Sequence, residues 1–206
     1  MPKLKAEVMA RAIARHDHVL HLHTAAVAHA GHLMLLPASS GNGKTLLTAR
    51  LLSLGCEYFS DEAVLLRRDG TVRPIPTALS VKTGGTEAAH FPGSLELPEH
   101  DREDGVAVRY LSPPPASLPD LGRTARPELL VFPRFVANAP TTLRHLSSAD
   151  ALARLLAESL AIPHRLDTES VATIVEAVEH AASWEITTGE LDGAAEQLMD
   201  LLQGRP

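Results

Sequence analysis

The first apolar stretches of the chain predict a strand pair, a loop and a helix. Residues 19–29 (VLHLHTAAVAH) and 32–37 (HLMLLP) are apolar runs separated by Ala30-Gly31, and this spacing predicts a β-hairpin with a short turn. The second run leads directly into a glycine-rich segment. Beyond it, TLLTARLLSL has apolar residues at helical spacing, and Gly55 follows where a helix C-terminal cap belongs. The pattern therefore predicts strand, glycine-rich loop and helix in direct succession.

The rest of the chain alternates between predicted strands and helices. AVLL and TVRPIP flank the turn sequence RRDG and predict a second hairpin, and ELLVFPRF predicts a strand over 128–135. One helix, ADALARLLAESLA, is predicted with an N-cap at Ser147 or Ser148, and another follows Asp167. WEITTG then alternates like a strand, and LDGAAEQLMDLLQ predicts a final amphipathic helix.

This order of elements is typical of an α/β fold in which helices cover a mixed sheet. We expect a single domain over residues 1–206, with a core at about 18–165 and a C-terminal helical and strand extension at 166–206. Residues 84–127 are rich in Pro, Gly and charge, so regular structure is not expected throughout. A lid, a binding loop and a disordered segment all stay open for them.

The composition limits the classes of partner. A formal net charge of −6 argues against nonspecific binding to nucleic acid, which depends on Lys and Arg. No apolar run reaches the roughly 18 residues of a membrane span, and the N-terminus lacks the apolar segment of a secretory signal. We therefore expect a cytoplasmic protein that binds neither nucleic acid nor membrane; assembly into a homo-oligomer stays open. Its one cysteine, Cys56, excludes an intramolecular disulfide.

The segment ASSGNGKT fits the phosphate-binding loop pattern of P-loop proteins, with Ala in place of the first glycine. Small residues let the backbone curl until its N–H groups point at phosphate oxygens, and the following helix adds the positive end of its dipole. We expect this loop to bind ATP, or GTP, with Mg²⁺. The predicted nucleotide-binding residues are Ala38, Ser39, Ser40, Gly41, Asn42, Gly43, Lys44 and Thr45.

An acidic pair, Asp61-Glu62, follows the next short apolar segment, CEYF. A P-loop kinase needs one carboxylate on the metal or its waters and another near the attacking hydroxyl. Because adjacent residues of an extended chain face opposite ways, the two carboxylates cannot do the same job. We expect one of them to approach the nucleophile and the other the metal.

In the order and spacing of these features, the sequence resembles the HPr kinase/phosphorylase superfamily. The resemblance is closer to its shorter HPr-kinase-like members found with modified-peptide biosynthesis, including lasso-peptide kinases. It is carried by LHTAAV with His23, by ASSGNGKT, by YFSDEAVLL with the acidic pair, and by RPIPTALSVKTGG and VFPRF. It covers about residues 20–165 and is strongest over 20–85.

The resemblance implies a P-loop nucleotide-binding fold of the HPr-kinase catalytic-domain type and a serine kinase acting on a peptide or protein. Its catalytic residues would be Asp61, His23 and Lys44. Asp61 would act as general base toward the acceptor hydroxyl, and His23 would orient Asp61 or contact a phosphate. Thr45 and Glu62 would bind Mg²⁺, although Glu62 replaces the second Asp of the bifunctional enzymes.

Two cations, Lys82 and Arg134, are further candidates for phosphate or acceptor contacts, because positive charge near the transferred group stabilises its transition state. The glycine-rich segment that the bifunctional enzymes use for the phosphorylase reaction is not found, which puts the reverse reaction in doubt. Two alternatives stay open: a small-molecule kinase on the same scaffold, and a nucleotide-binding regulatory module that transfers no phosphate.

Overall fold

The computed structural model describes residues 2–39, 41–83, 96–102, 104–120, 122–157, 159–161 and 167–204. Its helices are α1 (Pro2–Arg15), α2 (Lys44–Ser53), α3 (Ser148–Ala157), α4 (Thr168–His180) and α5 (Leu191–Leu202). Its strands are β1 (Leu20–Leu22), β2 (Thr24–His29), β3 (His32–Pro37), β4 (Glu57–Ser60), β5 (Val64–Leu66), β6 (Val72–Arg73), β7 (Leu79–Lys82), β8 (Glu99–Asp101), β9 (Ala107–Leu111), β10 (Pro127–Phe135), β11 (Thr142–His145), β12 (Ser159–Ala161) and β13 (Ala182–Thr188). The predicted α/β class, with a mixed sheet and flanking helices, is confirmed.

A mixed sheet with the strand order β11-β13-β10-β3-β2-β4 forms the centre of the fold. Within it β10 runs parallel to β13 and β3, and the other neighbours are antiparallel. Leu33 and Leu35 of β3 pack on the side of α3 and α4, whereas Met34 and Leu36 pack on the side of α2 and α5. A strand that is buried on both faces needs an apolar residue at nearly every position, which explains the run HLMLLP.

The apolar run over 19–29 is two strands rather than the single strand that its pattern predicts. β1 pairs with β5 and β12 in an antiparallel sheet with the order β12-β1-β5-β6, while β2 pairs with β3 and β4 in the central sheet. His23 lies at the break between them. The turn that closes the β2–β3 hairpin is confirmed, with positive φ at both Ala30 (51°) and Gly31 (96°).

The N-terminal helix α1 is not foreseen by the sequence analysis. Its buried or half-buried residues Met9, Ala12 and Ile13 lie at spacings of three and one, and they pack against a small apolar cluster formed by Ala63, Leu65 and Ile75. This contact places α1 directly above the segment that follows the acidic pair. An antiparallel sheet with the order β7-β9-β8 also lies near this end of the molecule.

Most of the later predictions are confirmed, with changes at their ends. Ser147 caps α3 through its hydroxyl oxygen, which accepts from the Asp150 N–H at 3.1 Å, and Asp167 caps α4 by accepting from the Ser170 N–H at 2.7 Å. The helix predicted after Ser148 ends at Ala157, and β12 follows. β13, from the predicted extension, lies between β10 and β11 in the central sheet.

The Pro-rich stretch contains more regular structure than its composition predicts. β8 and β9 pair within it, and a 3₁₀ turn spans Pro115–Ser117. Residues 84–95 of the stretch lie outside the described part of the chain. None of the described helices is long and apolar enough to cross a membrane.

Candidate functional site

The glycine-rich loop, residues 38–43, connects the end of β3 to the start of α2, as the sequence predicts. Gly41 (φ 97°) and Gly43 (φ 75°) lie in the left-handed region of backbone space, which residues with a Cβ rarely adopt. Gly43 stands at the N-cap position of α2, so the free N–H groups of the first helical turn face the loop. Ser40, one of the predicted binding residues, lies outside the described residues.

Lys44 is buried beneath this loop, with 7% of its surface exposed. Its ammonium group donates to the Ala38 carbonyl at 3.1 Å and to the His23 carbonyl at 3.4 Å. It therefore ties the loop to the break between β1 and β2. A cation held at this point is aligned with the N-terminus of α2, and both favour a bound anion.

Asp61 follows β4 and is almost completely buried, with 1% of its surface exposed. Its Oδ2 accepts a hydrogen bond from the Thr45 hydroxyl at 3.1 Å, whereas its Oδ1 has no hydrogen-bond partner among the described residues. Burial, with a smaller contribution from the charge of Glu62, raises the pKa of Asp61 to about 6. The ammonium groups of Lys5 and Lys44, together with the Thr45 hydroxyl, oppose this rise.

Glu62 points the opposite way, toward α1. The Lys5 ammonium lies 2.8 Å from its Oε1, and the Ser80 hydroxyl donates to the same oxygen at 2.9 Å. Burial alone raises the pKa of Glu62, but the charge of Lys5 and the hydrogen bonds from Lys5 and Ser80 outweigh it, so that the pKa falls below its usual value. The two adjacent carboxylates therefore lie in different surroundings.

Lys5 has further contacts that hold it in place. It donates to the Ala78 carbonyl at 2.7 Å and to the Ser80 hydroxyl at 2.8 Å, and its ammonium lies 5.4 Å from the centre of the Tyr110 ring. Only 12% of its side chain is exposed. These contacts join α1 to β7, to β9 and to the acidic pair.

His23 completes this arrangement. Its Nδ1 lies 3.1 Å from the carbonyl oxygen of Glu62, and because a carbonyl only accepts, Nδ1 carries a proton. In the neutral ring the other nitrogen, Nε2, is then the acceptor. The backbone carbonyls of His23 and Glu62 thus both take part in fixing side chains of the site.

Two adjoining cavities meet at these residues. The smaller, which we call the loop pocket, has a volume of about 60 Å³, and its lining includes Gly41, Gly43, Lys44, Thr45 and Asp61. The larger, which we call the α1 cavity, has a volume of about 460 Å³ and lies between α1 and the acidic pair. The two share four lining residues: His23, Glu62, Ser80 and Arg102.

The structure brings most of the predicted site residues together. Ser39 and Lys82 also line the loop pocket. Ala38 and Asn42 belong to the loop itself. The Ala38 carbonyl accepts a hydrogen bond from Lys44, and the Asn42 side chain donates one to the Ser39 carbonyl. Arg134 is different. It is exposed near the end of β10 and lines neither cavity.

Three residues of the site are missed by the sequence analysis: Lys5, Ser80 and Arg102. Ser80 lies two residues before the predicted Lys82, so the alternation of strand β7 could have indicated that both point to one face. Lys5 could have been suspected only after α1 was recognised from the spacing of Met9 and Ile13. In the sequence, Arg102 is a single cation within the acidic run EHDRED, and no motif marks it. In the structure it donates a hydrogen bond to Asp104 at 2.9 Å.

The residues around the loop pocket fit a Mg²⁺ ion that binds together with a nucleotide. No group of three or more His, Cys, Asp or Glu residues among the described residues is arranged to hold a metal by itself. Mg²⁺ commonly needs only one or two protein oxygens besides phosphates and water. The Thr45 hydroxyl is such an oxygen, whereas the carboxylate of Glu62 is already paired with Lys5.

Known proteins similar to this chain are found among solved structures. No family profile matches the chain, and no curated protein matches it in sequence. Among solved structures, it is similar to the Hpr(Ser) kinase/phosphatase from Coxiella burnetii, with 9% sequence identity and a TM-score of 0.39 over 89% of this chain and 93% of that chain. The resemblance drawn from the sequence motifs stays a prediction.

Proposed function

We propose that this chain is an ATP-dependent kinase that transfers the γ-phosphoryl group to a serine-type hydroxyl of a peptide or protein. The observation that carries the proposal is the state of Asp61. It is a buried carboxylate beside the glycine-rich loop, with one oxygen held by Thr45, the other without a partner among the described residues, and a pKa of about 6. A general base works best when its pKa lies near the working pH.

In the proposed reaction the acceptor hydroxyl oxygen forms a bond to the γ-phosphorus while the bond from that phosphorus to the β-phosphate oxygen breaks. The hydroxyl proton passes to Asp61, which later releases it to water, and the nucleoside diphosphate leaves with the bonding electrons. Lys44 and the N–H groups at the start of α2 bind the phosphates and stabilise the charge that develops on them. Mg²⁺, when bound through Thr45, would neutralise phosphate charge.

The neighbours of Asp61 have supporting roles in this proposal. His23, which is hydrogen-bonded through its Nδ1 to the Glu62 carbonyl and lines the loop pocket, is assigned to orient Asp61 or to contact a phosphate. Lys82, which lines the loop pocket, is assigned to a phosphate contact. We also propose that Glu62 binds Mg²⁺, which requires the ion pair between Glu62 and Lys5 to break.

The direct test is phosphoryl transfer from labelled ATP, or GTP, to a pool of serine-containing peptides. Asp61→Asn should lower the transfer rate by about 10²- to 10⁴-fold, the usual contribution of a general base, while leaving nucleotide affinity nearly unchanged. Glu179→Gln, an exposed carboxyl group on α4, is the matched control and should retain full activity. Undiminished transfer by Asp61→Asn would disprove the general-base role, and bound nucleotide without any transfer by the wild type would favour a regulatory module.

A second candidate is a kinase for a small molecule. It is favoured by the α1 cavity, whose volume of about 460 Å³ lies within the range typical of small-molecule sites. The same assay, run with a pool of small uncharged alcohols instead of peptides, decides between the two acceptors.

A further inference from the structure

We propose that the α1 cavity is the acceptor-binding site, and that it takes a compact, uncharged group with an apolar body and one hydroxyl. This inference rests on the proposed kinase function and specifies its substrate. It assigns a binding role to α1, which lies outside the segment that resembles known kinases.

The position of the cavity is the first argument. In-line transfer requires the acceptor oxygen to approach the γ-phosphorus from the side opposite the leaving oxygen. The glycine-rich loop and Lys44 hold one side of the acidic pair, and the α1 cavity opens on the other side. Because His23 and Glu62 line both spaces, a hydroxyl that enters from the α1 cavity reaches the loop pocket, where Asp61 lies.

The walls of the cavity are the second argument. Its apolar part is formed by Ala6, Met9 and Ile13 of α1, by Ala63, against which Met9 and Ile13 pack, and by Tyr110. An apolar body that packs on these side chains is removed from water, which is favourable. Most of the other lining residues are polar or charged, among them His21 and Ser80, so the apolar part suits one portion of a ligand and the polar part another. Specific ligand sites commonly combine apolar contacts with polar groups that fix the orientation of the ligand.

The charges around the cavity are the third argument. Lys5 is paired with Glu62 at 2.8 Å, and Arg102 with Asp104 at 2.9 Å, so four of the five Lys, Arg, Asp and Glu residues of the lining neutralise one another; the fifth, Lys3, is exposed to solvent. A strongly charged ligand that displaced the more buried pair, Lys5–Glu62, would leave one of its charges uncompensated. An uncharged acceptor body meets no such cost.

The size of the cavity sets the scale of the ligand. Its volume of about 460 Å³ is many times the roughly 30 Å³ that one water molecule occupies in the liquid. It therefore accommodates a serine or threonine with parts of its neighbours, or a small-molecule alcohol. The chemistry of recognition is the same for these two sources, and the experiment separates them.

A single cysteine introduced on α1 provides the test, because the natural thiol is inert. Cys56 is 1% exposed, and burial, together with the charge of Glu57, raises the pKa of its thiol to about 12. Ala6→Cys places a reactive thiol on the wall of the cavity. Leu4→Cys, on the same helix at a residue that is 62% exposed, is the matched control.

The first readout is the rate at which a maleimide labels each cysteine in the presence of acetylated and amidated serine peptides or of small uncharged alcohols. One of the two pools should slow the labelling of Ala6→Cys about fivefold at a concentration of about four times Kd, because the free fraction falls to about a fifth. Labelling of Leu4→Cys should not change. If neither pool protects Ala6→Cys, the cavity is not the acceptor site.

The second readout is the effect of a bulky label once it is attached. Phosphoryl transfer by labelled Ala6→Cys should be at least about tenfold slower, since the acceptor must give up its packing against α1. Its affinity for a fluorescent ATP analogue should stay within about twofold of the unlabelled value. Loss of nucleotide binding would overturn the inference, because the cavity would then hold the nucleotide. Transfer that survives the label also overturns it but leaves the kinase function intact. Protection without any transfer by the wild type keeps the site and rejects the kinase function.

Discussion

Removing the charge of Asp61 should make the protein more stable at neutral pH. Its carboxylate is almost completely buried, and the hydrogen bond from Thr45 and the nearby Lys44 do not fully compensate for the lost hydration, since the pKa stays raised. A carboxylate that stays ionised in surroundings that favour its neutral form destabilises the folded state. The neutral Asp61→Asn avoids this cost and keeps the shape of the side chain.

The magnitude follows from the pKa. It rises from the ordinary value of 3.8 to about 6 in the folded protein, and each unit corresponds to about 1.4 kcal/mol, so the ionised carboxylate costs about 3 kcal/mol at pH 7. Between these two values the folded protein keeps the proton that the unfolded chain has lost. The free energy of unfolding therefore falls as the pH rises from about 4 to 6, and at pH 5 about half of the cost is present.

Thermal unfolding of Asp61→Asn and of the wild type, followed by circular dichroism at pH 5 and pH 7, measures this effect. For a chain of this size about 3 kcal/mol corresponds to a rise in Tm of about 6–12 °C at pH 7, and to about half of that at pH 5. Glu179→Gln removes an exposed carboxyl group from α4 and should leave Tm within about 1–2 °C at either pH.

Two results would contradict a desolvated, ionised carboxylate at Asp61. If Asp61→Asn is no more stable than the wild type at pH 7, the carboxylate is not desolvated as its burial indicates. If the gain in stability is the same at pH 5 and pH 7, it does not come from ionisation. In the second case the gain in stability comes from a change in packing around Thr45. The pKa of Asp61 is then not raised, and a raised pKa no longer supports its role as the base.

Three further predictions concern the same site. The transfer rate at subsaturating substrate should fall about tenfold per pH unit below pH 6, because Asp61 must be ionised to accept a proton; a rate that is flat from pH 5 to 7 contradicts this. Lys44→Met should weaken binding of a fluorescent ATP analogue by about 10- to 150-fold, the value of a charge-assisted hydrogen bond, and unchanged affinity would exclude the loop as the phosphate site. Lys5→Met should lower the free energy of unfolding by about 1–3 kcal/mol in urea titrations, because Glu62 loses its cation; Lys3→Met, in the same turn of α1, is the control and should have little effect.

The local parts of the fold are the ones that the sequence predicts well. The hairpin turn at Ala30-Gly31, the helix after the glycine-rich loop and the cap at Asp167 depend on residues close together in the chain. The break at His23 is different. Apolar residues continue through it, and the division into β1 and β2 is set by pairing with β5, β12 and β4, which lie far away in sequence.

The same distinction holds for the candidate site. Motif spacing predicts that Lys44, Thr45 and Asp61 lie together, and all three line the loop pocket. Lys5 could not be placed in this way, because its partner Glu62 lies 57 residues further on and no motif connects them. Arg134 is predicted from the strand motif VFPRF, which does not specify the direction of each side chain. In the structure Arg134 is exposed and lines neither of the two cavities.

The contact between α1 and the acidic pair explains how two adjacent carboxylates come to differ. Asp61 is enclosed and its pKa is raised, whereas Glu62 is paired with Lys5 and its pKa is lowered. Such a separation is what distinguishes a proton acceptor from a permanently charged neighbour in acid–base sites. Without Lys5, Glu62 would lose its compensating charge and its pKa would rise toward that of Asp61, so the two groups would titrate as a coupled pair. The assignment of the base to Asp61 therefore depends on a helix at the start of the chain as much as on the motif that contains the residue.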